Sequence, residues 1–306
     1  MKKVFIDGSA GTTGLRIRDR LAGRSDISLI TLPEEQRKDI AARKEALNSA
    51  DVAFLCLPDD AAREAVALVE NGSTAIIDTS TAHRTAEGWT YGFPELGKYD
   101  DIAASRRIAN PGCHASGFVA LVAPLIKAGL LDANTVLTAF SITGYSGGGK
   151  KMIAEYEAAE RAVLLGAPRQ YGLSQKHKHL PEMAALTGLS VAPLFAPIVA
   201  DYYAGMEVTV PVSREMLQGS MADVAAVYRE AYKKGLVHFK DACDEGGFLS
   251  AAAYAGRDDM EISVFGNDER MLLVSRFDNL GKGASGAAIQ NMNILLGVPE
   301  DTGLVV

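Results

Sequence analysis

The sequence predicts an α/β fold: a doubly wound parallel sheet, followed by a second, α+β domain whose sheet is mainly antiparallel. Three observations support this prediction. Short apolar runs alternate with helical patterns over the first third of the chain, a glycine-rich turn follows the first run, and later runs alternate apolar with polar residues. Strands covered on both faces are continuously apolar, whereas strands with one solvated face alternate.

Four apolar runs predict the strands of the first domain. They begin at Lys3, Ile27, Val52 and Ala75, and two segments with helical spacing, 15–23 and 59–72, lie between them. The second of these segments starts with two aspartates after a proline and ends at a glycine, which is typical of a helix. Strands that alternate with helices form βαβ units, so we expect a Rossmann-type sheet here.

The rest of the chain predicts the second domain. Helices are expected at 116–129, 152–165 and 221–235, and strands at 189–198, 206–213, 260–266 and 270–277. The apolar helix at 285–297 is expected to return to the first domain. The expected domains are therefore residues 1–113 completed by 284–306, and residues 114–283.

Composition and charge restrict the class of protein. The chain has 306 residues and a net charge of −7, which argues against a protein that binds nucleic acid. No apolar run is long enough for a membrane span, and the N-terminus begins a strand rather than a signal peptide. Its three cysteines form no CxxC pair, so neither disulfides nor a metal site are expected. These features indicate a cytoplasmic protein with a small-molecule ligand.

The turn after the first strand carries glycines at Gly8, Gly11 and Gly14. This GxxGxxG spacing is a variant of the dinucleotide fingerprint, in which the backbone approaches a pyrophosphate at a helix N-terminus. The expected strand–turn–helix context supports the dinucleotide interpretation over an ordinary tight turn. Downstream, Glu34 or Glu35 would favour NAD, whereas Arg37 and Lys38 could bind a 2′-phosphate. The same segment could equally be a solvated loop.

Cys113 follows an Asn-Pro-Gly turn and precedes an apolar helix. Unpaired N–H groups and the dipole at a helix N-terminus favour the thiolate, which is the nucleophilic form. The alternative is a small buried apolar residue. His177 and His179 would place both rings on one face if their segment is extended, with Glu182 close enough to orient one. A basic surface loop, a chance pair or a weak metal site are the other interpretations.

Several cations and amides are candidates for binding an anion or a cofactor. Arg84, Lys150 and Lys151 lie in or beside polar turns, and the glycines before Lys150 could offer backbone N–H groups to a phosphate. Gln290 and Asn291 lie in an apolar helix and need hydrogen-bond partners there, so a cofactor contact is plausible beside simple packing.

Seven sequence blocks together resemble the N-acetyl-γ-glutamyl-phosphate reductase family, in its short bacterial type, within the aspartate-semialdehyde dehydrogenase group. The blocks occur in the family's order and run nearly end to end: GSAGTTGL, IDTSTAHR, YGFPEL, ANPGCHASG, SITGYSGGGKK, KHKHLPE and NLGKGASGAAIQNMNILLG. The blocks with NPGC and HxHxPE are the most diagnostic pair.

The resemblance implies a Rossmann domain that binds NADP(H), a catalytic and dimerisation domain, and a homodimer or homotetramer. It implies that Cys113 attacks an acyl phosphate, that phosphate leaves a thioester, and that NADPH reduces the thioester to a semialdehyde in arginine biosynthesis. His177 is favoured as acid/base, with His179 and Glu182 in support. The implied cofactor residues are Gly8, Ser9, Gly11, Thr12, Thr13, Gly14, Arg37, Ser80, Gln290 and Asn291. The implied substrate residues are Arg84, Asn110, Ser146, Gly147 and Gly148.

The sequence departs from the family pattern at His114, where the family commonly has tyrosine. This residue follows the nucleophile, so the departure concerns the lining of the pocket. Two alternative functions remain: an aspartate-semialdehyde dehydrogenase-like acyl-phosphate reductase, and a non-catalytic NADP-binding sensor. The HKHLPE segment argues against the first, and the presence of both the cysteine and the histidine pair argues against the second.

Overall fold

The computed structural model of the protein describes all residues from 1 to 306, and the chain divides into two compact units. Unit 1 consists of Met1–Pro111 with Ala284–Leu304, and unit 2 consists of Gly112–Gly283 with Val305–Val306. Val305 belongs to unit 2, where its carbonyl accepts the backbone N–H of Asp258 at 2.7 Å and its own N–H donates to Asp258 Oδ2 at 2.9 Å. This differs from the prediction that residues 284–306 complete the first domain.

Unit 1 contains one six-stranded sheet in which every neighbouring pair is parallel, in the order β2-β1-β3-β4-β6-β5. Its strands are β1 (Lys2–Asp7), β2 (Ile27–Ile30), β3 (Val52–Leu55), β4 (Ala75–Asp78), β5 (Thr90–Tyr91) and β6 (Arg107–Ala109). The four strands expected from the apolar runs are all present. The doubly wound parallel sheet is therefore confirmed.

Four helices of unit 1 follow these strands: α1 (Thr12–Leu21), α2 (Ile40–Ser49), α3 (Asp59–Ala67) and α4 (Tyr99–Ala104). Helices α2 and α4 were not predicted from the sequence, and α3 is shorter than the predicted segment, which ran to Gly72. Helix α3 ends at Ala67, after which the side chain of Asn48 binds the chain: it donates to the carbonyl of Leu68 at 2.8 Å and accepts the N–H of Glu70 at 2.9 Å. Helix α2 is capped by Asp39, whose side chain accepts from the N–H of Ala42 at 2.8 Å.

Unit 2 contains a seven-stranded sheet in the order β11-β12-β13-β10-β7-β9-β8. Its strands are β7 (Thr138–Gly144), β8 (Arg169–Gln170), β9 (Leu194–Ala200), β10 (Met206–Ser213), β11 (Val237–Phe239), β12 (Met260–Asn267) and β13 (Arg270–Phe277). Only the pairs β7–β9 and β11–β12 are parallel. The expectation of a mainly antiparallel sheet is confirmed.

Helix α5 (Cys113–Lys127) packs on this sheet, and Cys113 therefore belongs to unit 2, although the sequence analysis placed it at the end of the first domain. The packing is close at Gly117, where an added Cβ would lie 2.6 Å from Ser275 Oγ and from a methyl group of Val208. No larger residue fits at this position. The first turn of α5 is thereby fixed against β10 and β13.

Three more helices complete unit 2: α6 (Gly149–Tyr156), α7 (Leu180–Thr187) and α8 (Met221–Ala231). The helix expected to run to residue 165 ends at Tyr156. Its ring stacks on Tyr145, with centroids 4.7 Å apart, and its hydroxyl accepts from Arg169 at 3.0 Å. These contacts anchor Tyr156 in the fold, and the chain beyond it turns away, with one 3₁₀ turn at Val163–Gly166.

Helix α9 (Gly286–Leu296) lies in unit 1, where Ala288, Ile289 and Met292 join the core cluster that contains Val4 and Phe54. The opposite side of the parallel sheet packs Phe5, Leu55 and Ile76 against α2 and α3. None of the helices combines the length and the apolar character that a membrane span requires.

Candidate active site

The glycine turn between β1 and α1 is packed too closely to accept side chains. Gly8 has a φ of +84°, and a Cβ there would lie 2.2 Å from the carbonyl oxygen of Cys56. A Cβ on Gly14 would lie 2.5 Å from the carbonyl oxygen of Gly8. Gly11 precedes α1 in an extended conformation with no side-chain cap, and the first turn has no acidic residue. The helix N-terminus therefore presents backbone N–H groups to an anion.

This turn lines a cleft of about 830 Å³ in unit 1. The cleft is lined by residues of the glycine turn, by the acidic pair that would favour NAD, and by the basic pair that could bind a 2′-phosphate. These residues are Gly8, Ser9, Ala10, Glu34, Glu35, Arg37 and Lys38. The shape of the cradle and the position of the cleft fit a dinucleotide. Thr12, Thr13 and Gly14 form the first turn of α1, beside the cleft.

Asp7 and Arg43 form a buried ion pair in the same cleft, with Asp7 Oδ2 3.0 Å from Arg43 Nη2. Burial raises the pKa of Asp7, while the hydrogen bond and the charge of Arg43 act to lower it. Arg43 also binds Glu64 at 2.8 Å. Because two carboxylates already hold this guanidinium, Arg37 and Lys38, both exposed, are better placed to meet a ligand phosphate.

The turn after β4 contains Ser80 and Arg84. Ser80 Oγ donates to Asp78 Oδ2 at 2.7 Å, and His83 Nδ1 lies 2.6 Å from the same oxygen. Arg84 Nε donates to the carbonyl of Asn110 at 3.0 Å, which holds the guanidinium where β6 ends. Ser80 and Arg84 therefore lie at the carboxyl ends of neighbouring strands, the usual location for ligands of parallel sheets.

The amides of Asn110, Gln290 and Asn291 are buried and bonded within unit 1. Asn110 Nδ2 donates to the carbonyl of Ala284 at 3.0 Å, and Gln290 Nε2 donates to Glu95 and Glu300 at 2.9 and 2.7 Å. Asn291 Nδ2 donates to the carbonyl of Gly92 at 2.9 Å, while its Oδ1 has no partner. These bonds join α9 to unit 1, and contact with cofactor or substrate stays a prediction for all three.

Cys113 is the first residue of α5, as the sequence predicted. The preceding Gly112 is extended and provides no side-chain cap, and its backbone N–H donates to Glu182 Oε1 at 2.8 Å. Gly283 leaves room for the cysteine, because a Cβ there would lie 2.9 Å from Cys113 Cβ. Glu182 therefore binds the backbone of the residue before Cys113, and it also lies a few residues after His177 and His179 in the chain.

His177 and His179 come together through a turn and not through an extended strand, which corrects the sequence interpretation. The backbone N–H of Leu180 bonds the carbonyl of His177 at 3.0 Å, and that of His179 lies 3.2 Å from His177 Nδ1. The turn leads into α7 and leaves the two ring centroids 4.7 Å apart. Proximity of the rings is preserved by a different backbone geometry.

His114 adds a third imidazole to this pair. Its ring centroid lies 5.7 Å from that of His177 and 5.5 Å from that of His179. Its nitrogens contact Ser141 Oγ at 2.7 Å and Tyr171 Oη at 2.6 Å. Burial, followed by the charges of His177 and Lys178, lowers the pKa of His114 to about 3. Ser141 and Tyr171 were not predicted from the sequence, because no spacing motif connects them to Cys113.

The glycine-rich turn after β7 contains Ser146, Gly147 and Gly148. Ser146 is buried, its backbone N–H donates to the carbonyl of Tyr203 at 3.0 Å, and its Oγ accepts from Asn279 Nδ2 at 3.0 Å. Gly148 cannot carry a Cβ without meeting Met152 at 2.4 Å. The turn is therefore fixed at both sides and presents backbone groups at the start of α6.

Comparison with known proteins agrees with this arrangement. Residues 3–104 match the family model "Semialdehyde dehydrogenase, NAD binding domain", and residues 113–279 match "Semialdehyde dehydrogenase, dimerisation domain". Proteins named N-acetyl-γ-glutamyl-phosphate reductase 2 in Nostoc sp. and Pseudomonas putida are 46% and 45% identical, with 99% and 98% of both chains covered. The chain belongs to the N-acetyl-γ-glutamyl-phosphate reductase family. A family member from Brucella ovis is 47% identical over 96% of this chain.

Solved structures more distant from this reductase family share the fold. Aspartate semialdehyde dehydrogenase II of Vibrio cholerae, complexed with ASA, has a TM-score of 0.71 at 14% identity and covers 97% of this chain and 98% of its own. The enzyme of Candida albicans, solved with NADP, has a TM-score of 0.65 at 17% identity, with the same two coverages. At such low identity, these likenesses support the fold alone.

Proposed function

We propose that the protein reduces N-acetyl-γ-glutamyl phosphate with NADPH, giving N-acetylglutamate 5-semialdehyde and phosphate in arginine biosynthesis. The observation that carries this proposal is the position of Cys113, which starts α5 directly before a histidine that packs against His177 and His179. A partly exposed nucleophile at a helix N-terminus, with imidazoles for proton transfer, is what acyl-phosphate reduction needs. The relatives from Nostoc sp. and Pseudomonas putida described above are named for the same reaction.

The glycine cradle and its cleft are proposed to hold NADP(H). Backbone N–H groups at Gly11–Gly14 would bind the pyrophosphate, with Ser9, Thr12 and Thr13 beside it. Arg37 would neutralise a 2′-phosphate, and Ser80, Gln290 and Asn291 are the further proposed contacts. When bound, the cofactor supplies the hydride that reduces a carbonyl carbon.

Cys113 is proposed to attack the acyl carbon of the substrate as a thiolate. The new C–S bond forms as the C–O bond to phosphate breaks, so phosphate leaves and a thioester remains on Cys113. After reduction the oxygen of the thiohemiacetal carries the negative charge, and its collapse to the aldehyde returns the electron pair to sulfur. The helix N-terminus at Cys113 favours each state in which the sulfur is anionic.

His177 is proposed to hold the proton at the reacting oxygen, with His179 beside it. It would protonate the oxygen when the thiohemiacetal forms and take the proton back when the aldehyde forms. Glu182 supports both steps by holding the N–H of Gly112, which fixes the start of α5. The neutral ring of His114 adds no positive charge that would oppose protonation of His177.

The substrate's anionic groups are assigned to Arg84, Asn110 and the turn Ser146–Gly148. Arg84 is the cation of this set, and its guanidinium is already oriented by the carbonyl oxygens of Asn110 and Thr79. The glycine turn would offer backbone N–H groups to a carboxylate or phosphate. A phosphate bound in this way leaves more readily, because its charge is stabilised as the C–O bond breaks.

The exposed face of the unit 2 sheet is proposed to bind a second copy of the chain, giving a homodimer or a homotetramer. Phe140, Leu194 and Leu272 are 45%, 58% and 42% exposed on strands β7, β9 and β13. Three large apolar side chains on one sheet are unusual for a free surface. The match to a dimerisation domain over these strands supports the same assignment.

The test is the reverse reaction, followed by the absorbance of NADPH. The purified protein receives N-acetylglutamate 5-semialdehyde, NADP and phosphate, and parallel samples replace the substrate with aspartate semialdehyde, NADP with NAD, or omit phosphate. We expect phosphate-dependent turnover of the acetylated substrate with NADP. Turnover of aspartate semialdehyde instead would keep the chemistry and overturn the substrate. No turnover from a protein that binds NADP would support a non-catalytic sensor.

A further inference from the structure

Three side chains of unit 2 form a hydrogen-bonded chain whose middle member, His114, directly follows Cys113 in α5. Ser141 on β7 contacts His114 on α5, and His114 contacts Tyr171, which follows β8. Ser141 is fully buried, and His114 is 3% exposed. None of these residues has a role in the reaction proposed above, apart from the neutrality of His114.

Burial fixes the direction of the hydrogen bond between Ser141 and His114. Ser141 Oγ has no other hydrogen-bond partner in the structure, so its proton has only His114 Nδ1 as an acceptor. A buried hydroxyl proton without an acceptor is costly, and Ser141 is therefore the donor. The imidazole is neutral, because burial lowers the pKa of His114 to about 3. A neutral ring that accepts at Nδ1 carries its proton on Nε2.

The proton on His114 Nε2 determines what Tyr171 can do. Nε2 donates to Tyr171 Oη at 2.6 Å, so the tyrosine accepts this bond and its own proton stays available. No other hydrogen bond of the Tyr171 hydroxyl occurs in the structure. The hydroxyl proton is thus a donor without an acceptor in the protein.

Cys113 precedes His114 in the first turn of α5, and the Tyr171 hydroxyl lies 2.6 Å from the ring of that neighbour. Burial, and after it the negative charge of Cys113, raises the pKa of Tyr171, so the phenol keeps its proton. His177 is the other ring near Tyr171, with centroids 6.0 Å apart, and His177, His179 and Lys178 are the titratable groups around His114. A protonated phenol beside an anionic sulfur has the polarity of a hydrogen-bond donor to that sulfur.

We propose that Tyr171 is a further catalytic residue, whose hydroxyl donates a hydrogen bond to Cys113 Sγ when the sulfur is a thiolate. His114 and Ser141 are positioning residues: together they prevent the Tyr171 proton from turning toward the imidazole. The proposal rests on the reaction proposed above and adds the group that stabilises its anionic sulfur before attack and after aldehyde release. No bond to Tyr171 forms or breaks.

The direct test is the pH dependence of Cys113 alkylation by iodoacetamide in the full-length protein, measured on the Cys113 peptide by mass spectrometry. Tyr171→Phe keeps the ring and removes the donor, and we expect the midpoint of the profile to rise by about one pH unit. In turnover, kcat should fall while KM changes little. Tyr228→Phe is the matched control, since it removes a buried hydroxyl that donates to the carbonyl of Leu121 in the same helix α5. It should lower thermal stability and leave the alkylation profile in place.

The positioning role predicts a specific pattern among variants of Ser141. Ser141→Ala should shift the alkylation profile in the same direction as Tyr171→Phe, and Ser141→Thr, which keeps a hydroxyl, should restore it. The double variant Tyr171→Phe/Ser141→Ala should shift no further than Tyr171→Phe alone. A wild-type profile in Tyr171→Phe, or additive shifts in the double variant, would overturn the proposal.

Failure of this proposal can be distinguished from failure of the proposed function. Alkylation needs neither substrate nor cofactor, so it reports on Tyr171 even if the acetylated semialdehyde is not turned over. Conversely, turnover of that substrate with an unchanged Tyr171→Phe profile would retain the function and refute the role of Tyr171.

Discussion

Glu182 accepts the backbone N–H of Gly112 at 2.8 Å and thereby joins the first turn of α7 to the residue that precedes the nucleophile. The carboxylate is only 1% exposed. The same short segment that supplies His177 and His179 therefore also fixes the backbone on which Cys113 is presented. Displacement of either helix would separate the sulfur from the imidazoles.

Two variants of Glu182 should distinguish the contribution of its hydrogen bond from that of its negative charge. Glu182→Ala leaves the N–H of Gly112 buried without an acceptor and should lower the free energy of unfolding by about 1–3 kcal/mol, with a loss of kcat. Glu182→Gln keeps an acceptor oxygen and should retain most of the stability. Urea denaturation of both variants measures the difference. Equal losses in the two variants would show that the charge, and not the bond, is what matters.

Cys113→Ser should abolish turnover while leaving cofactor binding intact. The hydroxyl of serine is a far weaker nucleophile than a thiolate near neutral pH, so we expect kcat to fall by about 10³-fold or more. NADPH binding, followed by fluorescence titration, should be unchanged, because the glycine cradle belongs to unit 1. Residual activity within tenfold of the wild type would refute Cys113 as the nucleophile.

Gly8→Ala should prevent cofactor binding. Alanine is strained at a φ of +84°. Its Cβ would also lie 2.2 Å from the carbonyl oxygen of Cys56, the residue that follows β3. The cradle would have to open, and we expect both a lower melting temperature and a loss of NADPH affinity. Gly23→Ala is the control, since nothing lies within 4 Å of a Cβ at that site. Equal effects of the two substitutions would contradict the interpretation.

Acid should destabilise the protein through His114. Its pKa in the folded protein is about 3, against 6.5 for an unperturbed histidine. Between these values the unfolded chain binds the proton and the folded chain does not, so the free energy of unfolding falls as pH drops from about 6.5 toward 3. The slope from this residue is at most about 1.4 kcal/mol per pH unit. His114→Gln should lack this component when the two proteins are denatured at pH 7 and pH 4.5. Parallel pH curves would show that His114 does not titrate as the structure indicates.

Charge on the exposed face of the unit 2 sheet should dissociate the proposed oligomer. Phe140→Asp and Leu194→Asp each place a carboxylate on the face that a second copy would bury, where an unpaired charge is costly. Sedimentation equilibrium should show a lower mass for both variants than for the wild type. Val306→Asp adds the same charge at the chain's last residue and should leave the mass unchanged. An oligomer that persists in both face variants would place the interface elsewhere.

Local patterns were sufficient to predict most of the parallel sheet. The strands at Val52 and Ala75 are buried on both faces, so their residues are apolar without interruption and the pattern is visible in the sequence alone. Helix α2 was missed for the opposite reason. Only Arg43, Ala46 and Leu47 of its ten residues are buried, and one of them is an arginine held by Asp7 and Glu64.

The nucleophile could also be predicted locally, because Cys113 and the turn before it are adjacent in the chain. The surroundings of the cysteine could not. His114 lies on α5, Ser141 on β7 and Tyr171 in the segment after β8, and only the packing of α5 on the sheet brings their polar atoms within 2.7 Å. Likewise, the turn at His177 depends on the start of α7, so the sequence predicts the proximity of the two rings only on the condition of an extended backbone, which the structure does not have.

Unit 1 is built from two stretches of chain, and the second of these supplies Ile289 and Met292 to its hydrophobic core. During synthesis on the ribosome, the parallel sheet therefore emerges long before the helix that covers one of its sides. Unit 2 is complete, apart from its final two residues, before that helix is made. Unit 2 can therefore complete its contacts before unit 1 does, and until α9 is added the apolar residues on one side of the parallel sheet stay uncovered.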